Sequence, residues 1–346
     1  MILNVNIPNN EYDIIIKKGI FNNIHDEISK VFKGNKIFVV TDENVNNLYG
    51  NNFSNKIVLK PGEESKSLEN LEKIYDELAS FNMTRSDLIL ALGGGVVGDI
   101  AGFAASTYLR GVPFIQIPTT ILSQVDSSIG GKVAVNLSFG KNLVGSFYQP
   151  KLVLIDPDIL YTLPTRYLND GLAEVIKYGC IRDKSLFNSL SSYGDKDELF
   201  KNIENVIFTC CNIKREIVER DEKDLGERMI LNFGHTIGHG IERYFNYERY
   251  THGEAVAIGM CLITKFSEDM GLTVKGTYER IKNLLLKFNL PIDCPIDDRE
   301  KLLEGIFLDK KSNSNSINLI LLREIGESFI YNISKETFSH MMSNII

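Results

Sequence analysis

The first half of the chain alternates short β-branched runs with amphipathic stretches, which restricts it to a parallel sheet covered by helices. Candidate strands are Asp13 to Lys17, Lys36 to Thr41, Lys56 to Leu59, Asp87 to Ala91, Phe114 to Ile117 and Leu152 to Ile155. Between them lie helical patterns such as Leu68 to Phe81, where Leu68, Leu71, Ile74, Tyr75 and Leu78 recur at helical spacing. Beyond Pro157 the strand signals nearly vanish, and helical patterns follow at Leu172 to Ile181, Glu204 to Glu219, Asn232 to Tyr244, Gly253 to Met270 and Thr277 to Phe288. The shift predicts an α/β, Rossmann-like domain over residues 1–160 and a mainly α-helical domain over 161–346. Ile317 to Leu322 and Ser328 to Asn332, around Glu324-Ile-Gly326, form a small hairpin within the second.

A net charge of −7 and a pI near 5.4 exclude a general attraction to nucleic acid or to an anionic membrane. Any anionic ligand must meet a local cluster of Lys and Arg. Met1 to Pro8 lacks the basic and apolar regions of a secretory signal, and no uncharged run is a convincing membrane span, so a cytoplasmic protein is expected. The five cysteines contain no CxxC pair and read as reduced, buried thiols.

Asp87-Leu-Ile-Leu-Ala-Leu92 is a buried-strand run that ends in Gly93-Gly-Gly95-Val-Val-Gly98-Asp99, after which Ile100 to Tyr108 reads as a helix. This is GxGxxG between strand and helix, where backbone N–H groups and a helix N-terminus meet a pyrophosphate. The alternative is that the glycines only permit a tight turn and close packing. No Asp or Glu occurs from Ile100 through Val125, so the acidic residue that usually holds the ribose is missing downstream. Asp42 supplies one upstream, at a strand C-terminus; Glu63 to Lys66 and Thr119-Thr120 follow two further strands in the same way.

Three of the five histidines fall in Leu231-Asn-Phe-Gly-His235-Thr-Ile-Gly-His239-Gly-Ile-Glu242 and Tyr250-Thr-His252-Gly-Glu254. His235 and His239 are four apart and share a helix face, a spacing suited to a metal or to a ligand beside a proton-transfer group. A catalytic zinc-type site takes about three protein ligands, so a carboxylate is wanted, and Glu174 in Gly171-Leu-Ala-Glu174-Val-Ile-Lys177 is a candidate in an apolar helix. The alternatives are a hydrogen-bonded core histidine at 239 and a surface ion pair between Glu174 and Lys177. Lys132, Lys141, Lys214, Arg228 and Lys310-Lys311 add positive charge for a phosphate, or are solvated side chains.

Gly93 to Asp99, Pro118-Thr-Thr-Ile-Leu-Ser-Gln-Val-Asp126-Ser-Ser-Ile-Gly-Gly-Lys132, Gly171 to Tyr178, Leu231 to His239 and His252-Gly-Glu254 resemble, in order and spacing, the 3-dehydroquinate synthase family. The resemblance implies a carbon–oxygen lyase that turns 3-deoxy-D-arabino-heptulosonate 7-phosphate into 3-dehydroquinate and phosphate. It implies NAD, recycled within each turnover, and one divalent metal, zinc or cobalt, on Glu174, His235 and His252, leaving His239 for the substrate; residues 1–160 would then be the nucleotide-binding domain and 161–346 the metal- and substrate-binding domain. The substrate residues would be Asp126, Lys132, Asn142, Lys177, Lys214, Arg228, Asn232, His239, His252 and one of Lys310 or Lys311, with Lys132, Lys177, Arg228, Asn232 and His239 the catalytic ones. Arg110 would reach the phosphate from a neighbouring subunit, implying a homodimer. NAD contacts would be Asp42, Glu63, Lys66, Gly94, Gly95, Val96, Asp99, Thr119, Thr120, Lys132, Lys141 and Thr162. One departure stands out: Asp224 lies where the family usually has Glu.

Three other readings share parts of this pattern. Another sugar-phosphate cyclase would keep the metal and NAD but change pocket residues; a polyol or glycerol-phosphate dehydrogenase would release NADH; a cofactor-binding protein without catalysis would have a broken ligand set. Asn142, Lys177, Arg228, Asn232 and His239 favour the dehydroquinate-forming substrate.

Overall fold

The computed structural model describes residues 1–34, 36–309 and 315–342. They divide into two compact units, the first comprising Met1–Pro164 and Ile203–Lys223 and the second Thr165–Asn202 and Asp224–Ile346.

The first unit carries β1 (Ile2–Val5), β2 (Tyr12–Ile16), β3 (Ile37–Asp42), β4 (Lys56–Leu59), β5 (Leu88–Gly93), β6 (Phe114–Pro118), β7 (Lys132–Leu137), β8 (Gly140–Phe147) and β9 (Leu152–Ile155). Seven of these form one sheet in the order β1-β2-β9-β6-β5-β3-β4, parallel except for β1, which pairs antiparallel to β2 at the edge. Helices α1 (Ile24–Val31), α2 (Glu43–Tyr49), α3 (Leu68–Ser80) and α4 (Gly95–Thr107) cover it.

Side-chain alternation explains why the central strands are continuously apolar. On β5, Ile89 and Ala91 join a core with Leu71, Ile74 and Leu78 of α3 and Val97 and Ile100 of α4, whereas Leu88, Leu90 and Leu92 join a second core with Ile24 and Ile28 of α1 and Val45 of α2. A strand buried on both faces favours apolar residues at consecutive positions. Because the strands are parallel, the loops after β3, β4, β5 and β6 leave one edge of the sheet, and the order reverses between β3 and β5, where such sheets bind ligands.

Six expected strands are present, each shifted by two residues at most. Two features differ from expectation. Helix α4 begins at Gly95 rather than Ile100, because Gly94 is its N-cap and the later glycines are helical. An antiparallel hairpin of β7 and β8 occupies a stretch whose lysines suggested only positive charge.

The second unit contains α5 (Thr165–Ile181), α6 (Lys184–Ser192), the start of α7 (Lys196–Arg220), α8 (His235–Tyr244), α9 (His252–Asp269), α10 (Thr277–Lys287), α11 (Arg299–Asp309), the hairpin β10 (Ser316–Glu324) and β11 (Glu327–Ser334), and α12 (Lys335–Met342). Helix α9 packs against α5, α8 and α10, and almost every residue of α9 from Ala255 to Phe266 is buried. The single division expected near residue 160 becomes discontinuous, since α7 from Ile203 onward belongs with the first unit. Within that unit Glu204 accepts from the Lys18 N–H at 3.1 Å, Glu219 from the Asn6 N–H at 2.7 Å, and Cys211 Sγ donates to the Gln124 carbonyl at 3.3 Å.

Candidate metal centre and active site

Glu174 lies on α5, His235 opens α8 and His252 opens α9. Their ligand atoms all come within 4.8 Å of one another. His235 Nε2 is 3.4 Å and His252 Nε2 3.6 Å from Glu174 Oε1, and Glu174 has no exposed surface. A tetrahedral ion with bonds of roughly 2.0–2.1 Å sets its ligand atoms about 3.3–3.5 Å apart, so these residues fit a zinc-type ion. The free nitrogen of each ring is also engaged. His235 Nδ1 lies 3.1 Å from the Phe233 carbonyl and His252 Nδ1 3.3 Å from Glu242 Oε2, which leaves each Nε2 facing Glu174. Burial pushes the His235 pKa down to about 3, with Glu174 opposing. Burial also works against charge on His252, but Glu174 and Glu242 outweigh it and hold that pKa well above the ordinary value.

The helix spacing that brings the ligands together is set by glycines. A Cβ on Gly253 would lie 1.9 Å from the Asp170 carbonyl oxygen of α5, and one on Gly259 would lie 2.0 Å from the Gly234 carbonyl oxygen. Gly253 follows His252 and Gly234 precedes His235, so main chain meets main chain beside the cluster. The Gly253 N–H donates to Asp170 Oδ1 at 2.6 Å, and a capping box of Thr251 and Glu254 closes the first turn of α9.

Lys177 and Glu174 form an ion pair with side chains 2% and 0% exposed, which rules out a surface pair. His239 is half-buried, its ring centroid 5.4 Å from that of His235 and 5.9 Å from that of His252, so all three histidines of the motif meet. Arg228 and Asn232 belong to the 3₁₀ turn Glu227–Asn232 that leads into α8, Arg228 buried and Asn232 half-buried. Asp224 adopts φ +60°, a left-handed conformation that Asp reaches more readily than Glu, which suits the shorter residue to this bend.

The first unit assembles most of the expected dinucleotide residues at the C-terminal edge of its sheet. Gly94 is the N-cap of α4 and gives no side-chain hydrogen bond, so Gly95 and Val96 open the helix without a side-chain cap. The packing reading of the glycines also holds in part, since a Cβ on Gly93 would meet Val97 at 2.6 Å and one on Gly98 would meet Gln116 at 2.8 Å. Lys66 Nζ pairs with Asp99 Oδ2 at 2.5 Å, and burial raises the Asp99 pKa against the pull of Lys66. Asp42 caps α2, its Oδ1 accepting from the Val45 N–H at 3.0 Å, and burial raises its pKa too. The Thr119 N–H donates to the Gly93 carbonyl at 3.0 Å, the Thr120 hydroxyl lies 2.9 Å from that of Ser123, and the Thr162 hydroxyl lies 2.8 Å from that of Tyr49.

Lys214 Nζ reaches Asp126 Oδ1 at 2.8 Å and the Asp126 carbonyl at 2.6 Å. Lys132 and Asn142 are exposed and Lys141 half-buried, all on the β7–β8 hairpin. Arg110 is exposed and follows Leu109 in a turn where both have positive φ, +68° and +50°. Lys310 and Lys311 lie outside the described residues. Sequence reasoning gave no role to Glu242, Asp170 or Asn136. Glu242 could have been suspected from its spacing, three residues after His239 and seven after His235.

The first step of classification follows from fold and site. A 2-epi-5-epi-valiolone synthase from Streptomyces hygroscopicus subsp. jinggangensis 5008, solved with NAD+ and Zn2+ bound, superposes with a TM-score of 0.86 at 26% identity over 96% of each chain. A 2-deoxy-scyllo-inosose synthase structure shares the fold at a TM-score of 0.86 and 24% identity over the full length of both. The architecture is that of the sugar-phosphate cyclases. The 3-dehydroquinate synthase N-terminal family model matches residues 56–170 and its C-terminal counterpart residues 171–312. The 3-dehydroquinate synthase of Clostridium botulinum (strain Alaska E43 / Type E3) is 56% identical over 344 residues, spanning 96% of this chain and 98% of that one; that of Enterococcus faecalis (strain ATCC 47077 / OG1RF) is 45% identical over 346 residues, 97% of each. This chain belongs to the 3-dehydroquinate synthase family. Among the described residues no helix is long and apolar enough to cross a membrane.

Proposed function

We propose that the protein converts 3-deoxy-D-arabino-heptulosonate 7-phosphate to 3-dehydroquinate and phosphate, a step of the shikimate pathway toward aromatic amino acids, using NAD and one divalent ion, zinc or cobalt. The observation that carries this reading is the Glu174, His235 and His252 cluster with Lys177 buried against it, in a chain of this family.

Glu174, His235 and His252 would hold the ion. When bound, the ion lowers the pKa of a substrate hydroxyl and NAD accepts and later returns a hydride, so the oxidation is transient. Lys177 keeps a cation against Glu174 in dry surroundings, where it can also orient an anionic substrate group. His239 and Asn232 take substrate hydroxyl groups from the helix and turn that also carry His235 and Arg228. Arg228, Lys132 and Lys214 offset the charge of the phosphate and stabilise it as it leaves, and Asp126 and Asn142 complete the substrate set. The substrate's own phosphate takes the proton lost in elimination, after which the ring opens and an intramolecular aldol closes the carbocycle. The dinucleotide would rest on Gly94, Gly95 and Val96, with Asp42, Glu63, Lys66, Asp99, Thr119, Thr120, Lys132, Lys141 and Thr162 around it.

A homodimer in which Arg110 serves the neighbouring subunit belongs to the same reading; it rests on the family resemblance and is compatible with the exposure of Arg110. So does a cytoplasmic location, supported by five free cysteines.

The test is phosphate release from the heptulosonate phosphate with and without chelator and NAD. Release should need both cofactors and leave the nicotinamide absorbance unchanged. Activity that survives chelation, or stoichiometric NADH, refutes the proposal, and the second outcome points to a dehydrogenase.

A further inference from the structure

His252 is the first residue of α9, so no preceding helical turn supports its ring, yet a ligand must be aimed. Its Nε2 faces Glu174 Oε1 at 3.6 Å and its Nδ1 faces Glu242 Oε2 at 3.3 Å. Glu242 is 5% exposed on α8, seven residues beyond His235 and therefore two turns along the same face. We propose that Glu242 is a positioning residue that accepts the Nδ1–H of His252 and keeps the Nε2 lone pair on the ion, so that α8 supplies one ligand and the orienting carboxylate of another. This rests on the metal reading of the cluster above.

His239, Glu242 and His252 also meet the proximity required of a metal set. A neutral imidazole offers one lone pair, however, and the nitrogen of His252 that faces the fully buried Glu174 is Nε2. In that second set His252 would ligate through Nδ1 beside Glu242, and its lone pair would turn away from Glu174. The outward carboxylate bound to Nδ1 is the arrangement that fixes tautomer and ring angle at metal-bound histidines.

The experiment titrates metal-free protein with Zn2+ in competition with a chromophoric chelator, and with Co2+ followed by visible absorption. Glu242→Ala should weaken zinc binding about 10- to 100-fold at unchanged stoichiometry. Glu242→Gln, whose amide oxygen still accepts the Nδ1–H, should fall between it and the wild type, and it decides the matter if the alanine variant does not fold. A merely structural Glu242 would lower the melting temperature of the metal-free protein and leave zinc affinity alone. Wild-type zinc affinity in both variants overturns the inference. So does loss of the cobalt spectrum in Glu242→Gln to the extent seen in Glu174→Gln, which would make Glu242 a ligand. Failure of the wild-type protein to bind zinc would instead remove the metal reading beneath it.

Discussion

Gly253→Ala adds one methyl group and should disable the metal centre. The new carbon would sit 1.9 Å from the Asp170 carbonyl oxygen and 2.9 Å from its Oδ1, where real Cβ contacts stay beyond 3.0 Å. The obstacle is main chain, so no rotamer change relieves it, and α9 must move off α5 by about 1 Å in a core packed to crystal-like density. Overpacking of this kind costs about 1–3 kcal/mol, or roughly 3–10 °C in melting temperature for a unit of this size. The functional effect is larger, because His252 moves with α9 while Glu174 stays on α5. Metal–ligand distances tolerate about 0.2 Å, and a 1 Å misplacement costs on the order of 10²-fold in rate. Zinc titration and phosphate release on the purified variant measure both, with NAD affinity as the control expected to stay near wild type. Zinc affinity and turnover within about twofold of wild type would refute the claim that glycine sets the ligand gap.

Lys177→Met should destabilise the metal-free protein by less than the roughly 3–5 kcal/mol of a wholly unpaired buried charge, because His252 still faces Glu174, and zinc should restore much of the loss; equal melting losses with and without zinc would contradict this. Burial pushes up the thiol pKa of Cys180 and Cys211, of Cys261 up to about 12 and of Cys294 up to about 11. Thiol reagent should therefore label the native protein slowly, at Cys294 first, and rapid labelling of a buried cysteine would show that its core opens. Leu109→Gly should raise stability by about 1 kcal/mol by relieving the left-handed turn, read as a higher urea midpoint, and a lower midpoint would mean that Leu109 packing outweighs the strain.

The sheet was legible because a strand buried on two faces is mostly apolar, as β5 and β9 are throughout; Thr41 in β3 and Gln116 at the centre of β6 are buried polar exceptions, and the Gln116 amide donates to the Ser128 carbonyl at 3.3 Å. The β7–β8 hairpin was not, since its strands mix polar and glycine residues with a few apolar ones, of which Val133, Val135 and Val144 pack on the α3–α4 core. The divided membership of α7 was equally hidden: its amphipathic pattern says that one face is buried but not against which unit. At the site, residue type and spacing could name three histidines and a carboxylate. They could not say which nitrogen points where, because His252 reaches Glu242 and Glu174 through helices brought together only by packing. The glycines told the same partial story, since spacing marks a close approach without naming what approaches.

Asn136 on β7 engages three of its polar groups at once. Its N–H donates to the Lys66 carbonyl at 2.8 Å, its side-chain amide donates to Glu63 Oε1 at 2.7 Å, and its side-chain oxygen accepts from the Asn142 N–H at 2.8 Å. No other side chain of this size offers both a donor and an acceptor in that geometry. These bonds tie the hairpin tip to the loop after β4, and the amide hydrogens of the two segments should exchange at a common rate. A dinucleotide that stiffens either segment would slow exchange in both.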